Sequence, residues 1–242
     1  GEAGAAGAAA ALRVVPVGEE LLLEGAGFWR EACGGTLGVL EPGEPAPSRG
    51  EVPGDEVRFM SQQLSDEAYF LGGAPLPGGG FPELAAGAAL LASRGLPPAF
   101  LFMYDEAWAL ASQCWGLAES LLGGPCVMEE SLAAFRLTHG GRRRVAGGNF
   151  GIPHRDYTYA DSHDASGAPQ LVSVWVPLND ATLDNGCMVV VPREFDANWR
   201  RDGGHEHKYV ATQGLFGRHT FLHFALDGAR PLPAPAGTPM GW

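Results

Sequence analysis

The stretch Asp105–Leu122 constrains the fold more than any other. Trp108, Ala111, Trp115, Ala118 and Leu122 recur at steps of three and four, the spacing of one face of an α-helix. Ala107, Leu110, Cys114, Leu117 and Leu121 widen that stripe. Asp105 stands where a helix-capping acceptor belongs, and Gly123-Gly124-Pro125 stops the helix. An apolar stripe this broad has to be covered, and the outer face of a sheet is the expected cover.

On either side of this helix the pattern differs. Upstream, residues 82–94 read as a second helix, with Pro82 in its first turn, Gly95 past its end and Pro97 beyond. Residues 55–70 hold a short helix, and the Pro/Gly-rich run 72–80 reads as a linker. Residues 1–54 read as a Gly/Ala/Pro-rich tail and a loose N-terminal region. The chain opens on Gly rather than Met, so a start is expected to be missing or removed. Downstream of Pro125, short apolar runs alternate with turns. Candidate strands cover 131–138, 151–157, 171–178, 187–191, 220–226 and 237–242. A single domain is therefore expected over 55–242, with helices in 55–124 and a β core in 125–242. Helices first and strands afterwards point to α+β, or to a β-sandwich buttressed by helices.

The 242 residues, 45% of them hydrophobic and 18% charged, are enough for one well-packed domain. A net charge of -12 argues against nucleic acid or an anionic membrane as partner, since phosphate binding needs clustered Lys and Arg. No apolar run approaches the roughly 20 residues of a membrane span, so the chain reads as soluble. Cys33, Cys114, Cys126 and Cys187 show no metal-type pairing and are expected as reduced thiols.

The chemistry is expected between residues 149 and 194. His154-Arg155-Asp156 offers an imidazole and a carboxylate two residues apart, and on a strand both point to one side. Two such ligands with one remote histidine make the facial triad of non-haem Fe(II) oxygenases. Taken alone, the triplet is a weak signal that reads more readily as a surface pair. In the run 171–178, Val172, Val174, Val176 and Leu178 share one face, suited to burial under the helices. Leu171, Ser173, Trp175 and Pro177 share the other, suited to a cavity wall, or in the case of Trp175 to ordinary core. Asp184-Asn185-Gly186 then marks a turn.

These pieces, in order, resemble the phytanoyl-CoA dioxygenase family of Fe(II)/2-oxoglutarate-dependent oxygenases. The resemblance runs over about 100–242 and rests on HRD, SVWVPLNDAT, DNGCMVVVP and RPLPAPAGTPMGW. It implies a mainly β fold with flanking helices, a double-stranded β-helix (a cupin-like jelly roll) buttressed by N-terminal helices. It implies Fe(II) as cofactor, 2-oxoglutarate and O2 as cosubstrates, and hydroxylation of an unactivated C–H of a small organic or lipid-like molecule. His154 and Asp156 match the first two iron ligands. Trp175 matches the strand Trp beside the 2-oxoglutarate pocket. Ser173 shares its face, and Arg136 is a further candidate there from an earlier strand. Tyr157 and Tyr159 border the substrate or form a packed pair. Asp156 also argues against the related halogenases, in which a small residue replaces the carboxylate.

Two family features are not seen in the sequence. The third ligand, a histidine on a late strand, and the basic residue after it are expected past Trp242. His223 is the substitute that chain order offers, though it also reads as an ordinary strand histidine. The competing reading is an incomplete jelly-roll module that binds a metal or small ligand without turnover.

Overall fold

The computed structural model describes residues 25–40, 43, 51–129, 132–136, 156–196, 199–200, 210–214, 217–221 and 228–242. Helix α1 is Ala26–Ala32, α2 is Gly54–Glu67, α3 is Phe81–Ser93 and α4 is Asp105–Leu122. A 3-10 turn, Pro98–Met103, leads into α4.

The expected helix ends hold where glycine decides them. Gly123 caps α4 in the left-handed conformation, and its N–H bonds the Glu119 carbonyl. The start differs. Tyr104, not Asp105, is the cap residue, and no side chain caps the first turn. That end is fastened instead by the segment before it in space. Asp105 N–H donates to the Gly38 carbonyl at 2.9 Å, and Gly38 N–H donates to the Glu106 carboxylate. A bridge from Val39 to Tyr104 completes the attachment.

The core begins upstream of residue 55. Trp29, Ala32 and Cys33 pack with Leu84, Leu91, Leu101 and Tyr104 in one buried cluster. The Tyr104 hydroxyl donates to the Trp29 carbonyl at 2.7 Å, which ties α1 to the start of α4. Its burial pushes the phenol well above its ordinary pKa. Tyr104→Phe removes the shorter of two hydrogen bonds to that carbonyl and leaves it the Cys33 N–H at 3.3 Å. We expect a loss of about 0.5–1.5 kcal/mol in urea unfolding with the fold retained.

The strands are short. β1 is Phe70–Leu71, β2 Val174–Trp175, β3 Met188–Val190, β4 Val210–Gly214, β5 Gly217–Phe221, β6 Arg230–Leu232 and β7 Met240–Gly241. β7 lies between β1 and β2, β3 pairs β6, and β4 pairs β5, all antiparallel. Among the described residues these sheets do not by themselves make up a double-stranded β-helix. Of the candidate strands, 171–178, 187–191 and 237–242 each contain a ladder, shorter than expected. The candidate 220–226 is described only to 221, within β5. Residues 132–136 carry no regular structure, and residues 151–155 lie outside the described part.

The parity of the central strand holds. Val172, Val174, Val176 and Leu178 pack against Met60, Phe70, Phe81, Leu117 and Leu121, so helices α2 and α4 cover that face. Trp175 and Trp242 pack on the other side with Tyr69, Leu71, Leu232 and Met240. The apolar stripe of α4 is thus covered by a sheet face and by α2 together.

Among the described residues, no helix is long and apolar enough to cross a membrane. All four cysteines are free thiols. Burial pushes the Cys114 thiol up to about 12. Cys114 is therefore a neutral thiol at pH 8, and only the thiolate attacks a disulfide reagent. We expect Cys114→Ser to leave the rate of native labelling at pH 8 unchanged and to lower only the count after denaturation.

Candidate active site

The site grows from the cross-strand pair of Ser173 and Trp242. Ser173 N–H donates to the Trp242 carbonyl at 2.9 Å, and Trp242 N–H donates back to the Ser173 carbonyl at 3.2 Å. This continues the β2–β7 register, Val174 with Gly241 and Trp175 with Met240. Directly paired residues in an antiparallel ladder project to the same face. Ser173 and Trp242 therefore stand side by side, away from the helices.

Both reach Asp156. The Ser173 hydroxyl donates to Asp156 Oδ2 at 2.9 Å, and the Trp242 indole N–H donates to the same oxygen at 2.8 Å. Asp156 itself sits in a bend and is exposed. Hydrogen bonds onto a carboxylate are charge-assisted and about twice as strong as neutral ones. One carboxylate oxygen is thereby held from the sheet.

The residues after Asp156 turn away into two further contacts. Tyr157 donates its hydroxyl to the Glu129 carboxylate, and this bond is the main reason its phenol is raised above the ordinary tyrosine range. Thr158 caps a single helical turn α5, Tyr159–Ser162, through its side chain and the Asp161 N–H. Tyr159 stacks on His163 with ring centres 4.2 Å apart. Trp199 meets both rings edge-on, at 5.9 and 5.5 Å, and the Arg200 guanidinium lies 5.9 Å from the Tyr159 ring centre. Tyr159 thus packs with His163 and Trp199, not with Tyr157.

On the far side of the strand pair, Asp180 and Asn185 shape the expected turn. Asn185 accepts from Thr182 N–H at 2.6 Å and donates to the Asp180 carbonyl at 2.6 Å. Gly186 supplies the positive φ of 90° that the turn needs. The Asp180 carboxylate accepts from Ala236 N–H at 2.9 Å, which fastens this turn to the chain leading into β7.

The residues singled out in the sequence therefore divide. Asp156 and Ser173 are brought into direct contact. Trp175 is half-buried beside them in the cluster of Tyr69, Leu232 and Met240. Arg136 is exposed in a stretch without regular structure. His154 and His223 lie outside the described residues. Trp242 and Trp199 were not anticipated. The alternation of 240–242 puts Met240 and Trp242 on one face, but nothing local says that the face meets residue 173.

Residues 109–202 match the family Phytanoyl-CoA dioxygenase (PhyH). This is the family that the ordered sequence pieces resemble. L-proline trans-4-hydroxylase from Streptomyces griseoviridis is 30% identical over 140 residues, which is 51% of this chain and 47% of that relative. The chain spans about half the length of the curated relative it matches. No solved structure matches it significantly. The phytanoyl-CoA dioxygenase match includes the HRD triplet, the strand of Ser173 and Trp175 and the Asn-Gly turn, and stops before β6 and β7. Trp242 is thus a contributor to the Asp156 site from beyond the matched segment.

A carboxylate held by two donors suits the hard-oxygen leg of a 2-His-1-carboxylate iron site. Among the described residues, no group of three or more His, Cys, Asp and Glu stands ready to hold a metal. His154, two residues before Asp156, lies outside the described residues.

Proposed function

We propose that this chain carries the metal and cosubstrate region of an Fe(II)/2-oxoglutarate-dependent dioxygenase that hydroxylates a small organic molecule. The observation that carries the reading is the pinned carboxylate of Asp156, inside the stretch that matches the family. His154 and Asp156 would hold the iron, with a further histidine as third ligand. Bound Fe(II) would supply the oxidising chemistry, in which O2 converts 2-oxoglutarate to succinate and CO2 and places one oxygen in a C–H bond of the substrate.

The chain's own residues have the following parts. Ser173 and Trp242 orient the carboxylate. Trp175 and the half-buried face around it shield one side of the site from water. Arg136, exposed in a stretch without regular structure, is the cationic candidate for the 2-oxoglutarate carboxylate. Tyr157 and Tyr159 flank the Asp156 bend on the substrate side, with Tyr159 held by His163 and Trp199.

A small-molecule substrate fits the kinship to a proline hydroxylase, and free L-proline is the first to try. The test is a reaction containing Fe(II), 2-oxoglutarate and O2, analysed by mass spectrometry for a product one oxygen atom heavier. The expected result is such a product from proline or a related small molecule, dependent on all three additions. Absence of any product together with absence of succinate would favour the competing reading, a jelly-roll module that binds without turnover.

A further inference from the structure

The sequence draws attention to Trp175, yet the indole that reaches the carboxylate is that of Trp242. We infer that Trp242 is a positioning residue for Asp156, acting with Ser173 to fix the carboxylate through Oδ2. The inference rests on the proposed iron site, and it concerns a residue outside the matched segment 109–202.

Three observations support it. The first is convergence: the indole N–H and the Ser173 hydroxyl meet one oxygen, at 2.8 and 2.9 Å. A shared oxygen fixes the rotation of the carboxyl group as well as its position. The second is the rigidity of the donors. Ser173 and Trp242 exchange both backbone hydrogen bonds, and β7, which ends beside Trp242, is the middle strand of its sheet. The third is chemical. An indole N–H only donates, whereas a hydroxyl rotates and also accepts. Trp242 therefore keeps the same polarity toward Asp156 in every state of the site, and Ser173 need not.

The clamp matters because Asp156 is exposed and lies on a bend rather than in a ladder. An exposed side chain on irregular backbone loses rotamer freedom when it takes a ligand. A donor pair fixed to the sheet has already restricted that freedom. Outer-shell partners of metal ligands act in this way and are worth about 10- to 100-fold in affinity.

The test uses Co(II) alone as probe, titrated calorimetrically without 2-oxoglutarate, on the full-length wild-type protein and on its variants Trp242→Phe, Ser173→Ala, Ser173→Thr and Asp156→Ala. Trp242→Phe keeps an aromatic ring in the cluster with Trp175 and Met240 and removes only the donor. The expected result is about a 10- to 100-fold weaker Co(II) affinity in Trp242→Phe, a smaller loss in Ser173→Ala that Ser173→Thr restores, and loss of binding in Asp156→Ala. A second readout needs no metal. The indole N–H resonance of Trp242 should move in Asp156→Ala, a variant that leaves Trp242 and its packing in place. If Asp156→Ala abolishes Co(II) binding while Trp242→Phe binds as wild type, the positioning role is overturned and the iron site stands. If Asp156→Ala binds Co(II) as wild type does, the iron site falls and the role of Trp242 falls with it. An unmoved indole resonance in Asp156→Ala would overturn the hydrogen bond itself, whether or not Trp242→Phe folds.

Discussion

Asp156→Ala is expected to weaken Fe(II) binding by more than the roughly 10- to 100-fold that an outer-shell change costs, and to stop succinate formation. The reason is local. The carboxylate is the one described oxygen ligand of the proposed triad, and it is aimed by Ser173 and Trp242. Asp156 is exposed, so its removal opens no cavity and leaves the helical core of Leu117 and Phe81 untouched. The variant should therefore unfold at nearly the wild-type urea concentration while losing the metal. Anaerobic Fe(II) titration beside a urea curve separates the two effects. An inactive variant that has also lost several kcal/mol of stability would assign Asp156 a structural role instead.

The second large effect is on the fold. Gly237 has a φ of 84° in the turn before β7. Its N–H donates to the Pro177 carbonyl at 2.7 Å, and its carbonyl accepts from Leu76 N–H at 2.9 Å. A Cβ built there runs into the ring of buried Phe81, the first residue of α3. Gly79 has a similar φ of 68° with open space where its Cβ would go. The two glycines therefore separate backbone strain from crowding. Gly79→Ala should cost about 1–2 kcal/mol, the penalty of the left-handed conformation. Gly237→Ala should cost that plus about 1–3 kcal/mol of overpacking against Phe81. Because the turn leads directly into β7, Gly237→Ala should also disturb the Trp242–Asp156 bond, which Gly79→Ala should not. Equal losses in the two variants would show that Phe81 yields without cost.

What was legible in the sequence is what depends on short-range pattern. The C-terminal end of α4 could be read because Gly123 is the residue that tolerates a left-handed cap, and the stripe of Leu117 and Leu121 because helical spacing is local. The two faces of 171–178 could be read because side chains alternate with period two. The Asn185-Gly186 turn was visible for the same local reason. The cap at Tyr104 was not, because the start of α4 is fastened by Gly38, 67 residues before Asp105 in the chain, rather than by its own side chain. The packing of Trp29 was hidden by the Gly/Ala-rich stretch around it. The role of Trp242 was hidden most deeply. Its partner Ser173 is chosen by sheet register, and register is a long-range property. The proposal that the triplet holds iron rests on the resemblance to the phytanoyl-CoA dioxygenase family, because the pattern His-X-Asp alone does not point to a metal.

The most direct measurement is succinate release from 2-oxoglutarate, with Fe(II) and O2 present, by the full-length protein and by its Asp156→Ala variant. The expected result is succinate from the wild-type protein that disappears when either Fe(II) or O2 is withheld, and none from Asp156→Ala. Succinate formed equally by both proteins, or by neither, would contradict the proposed function.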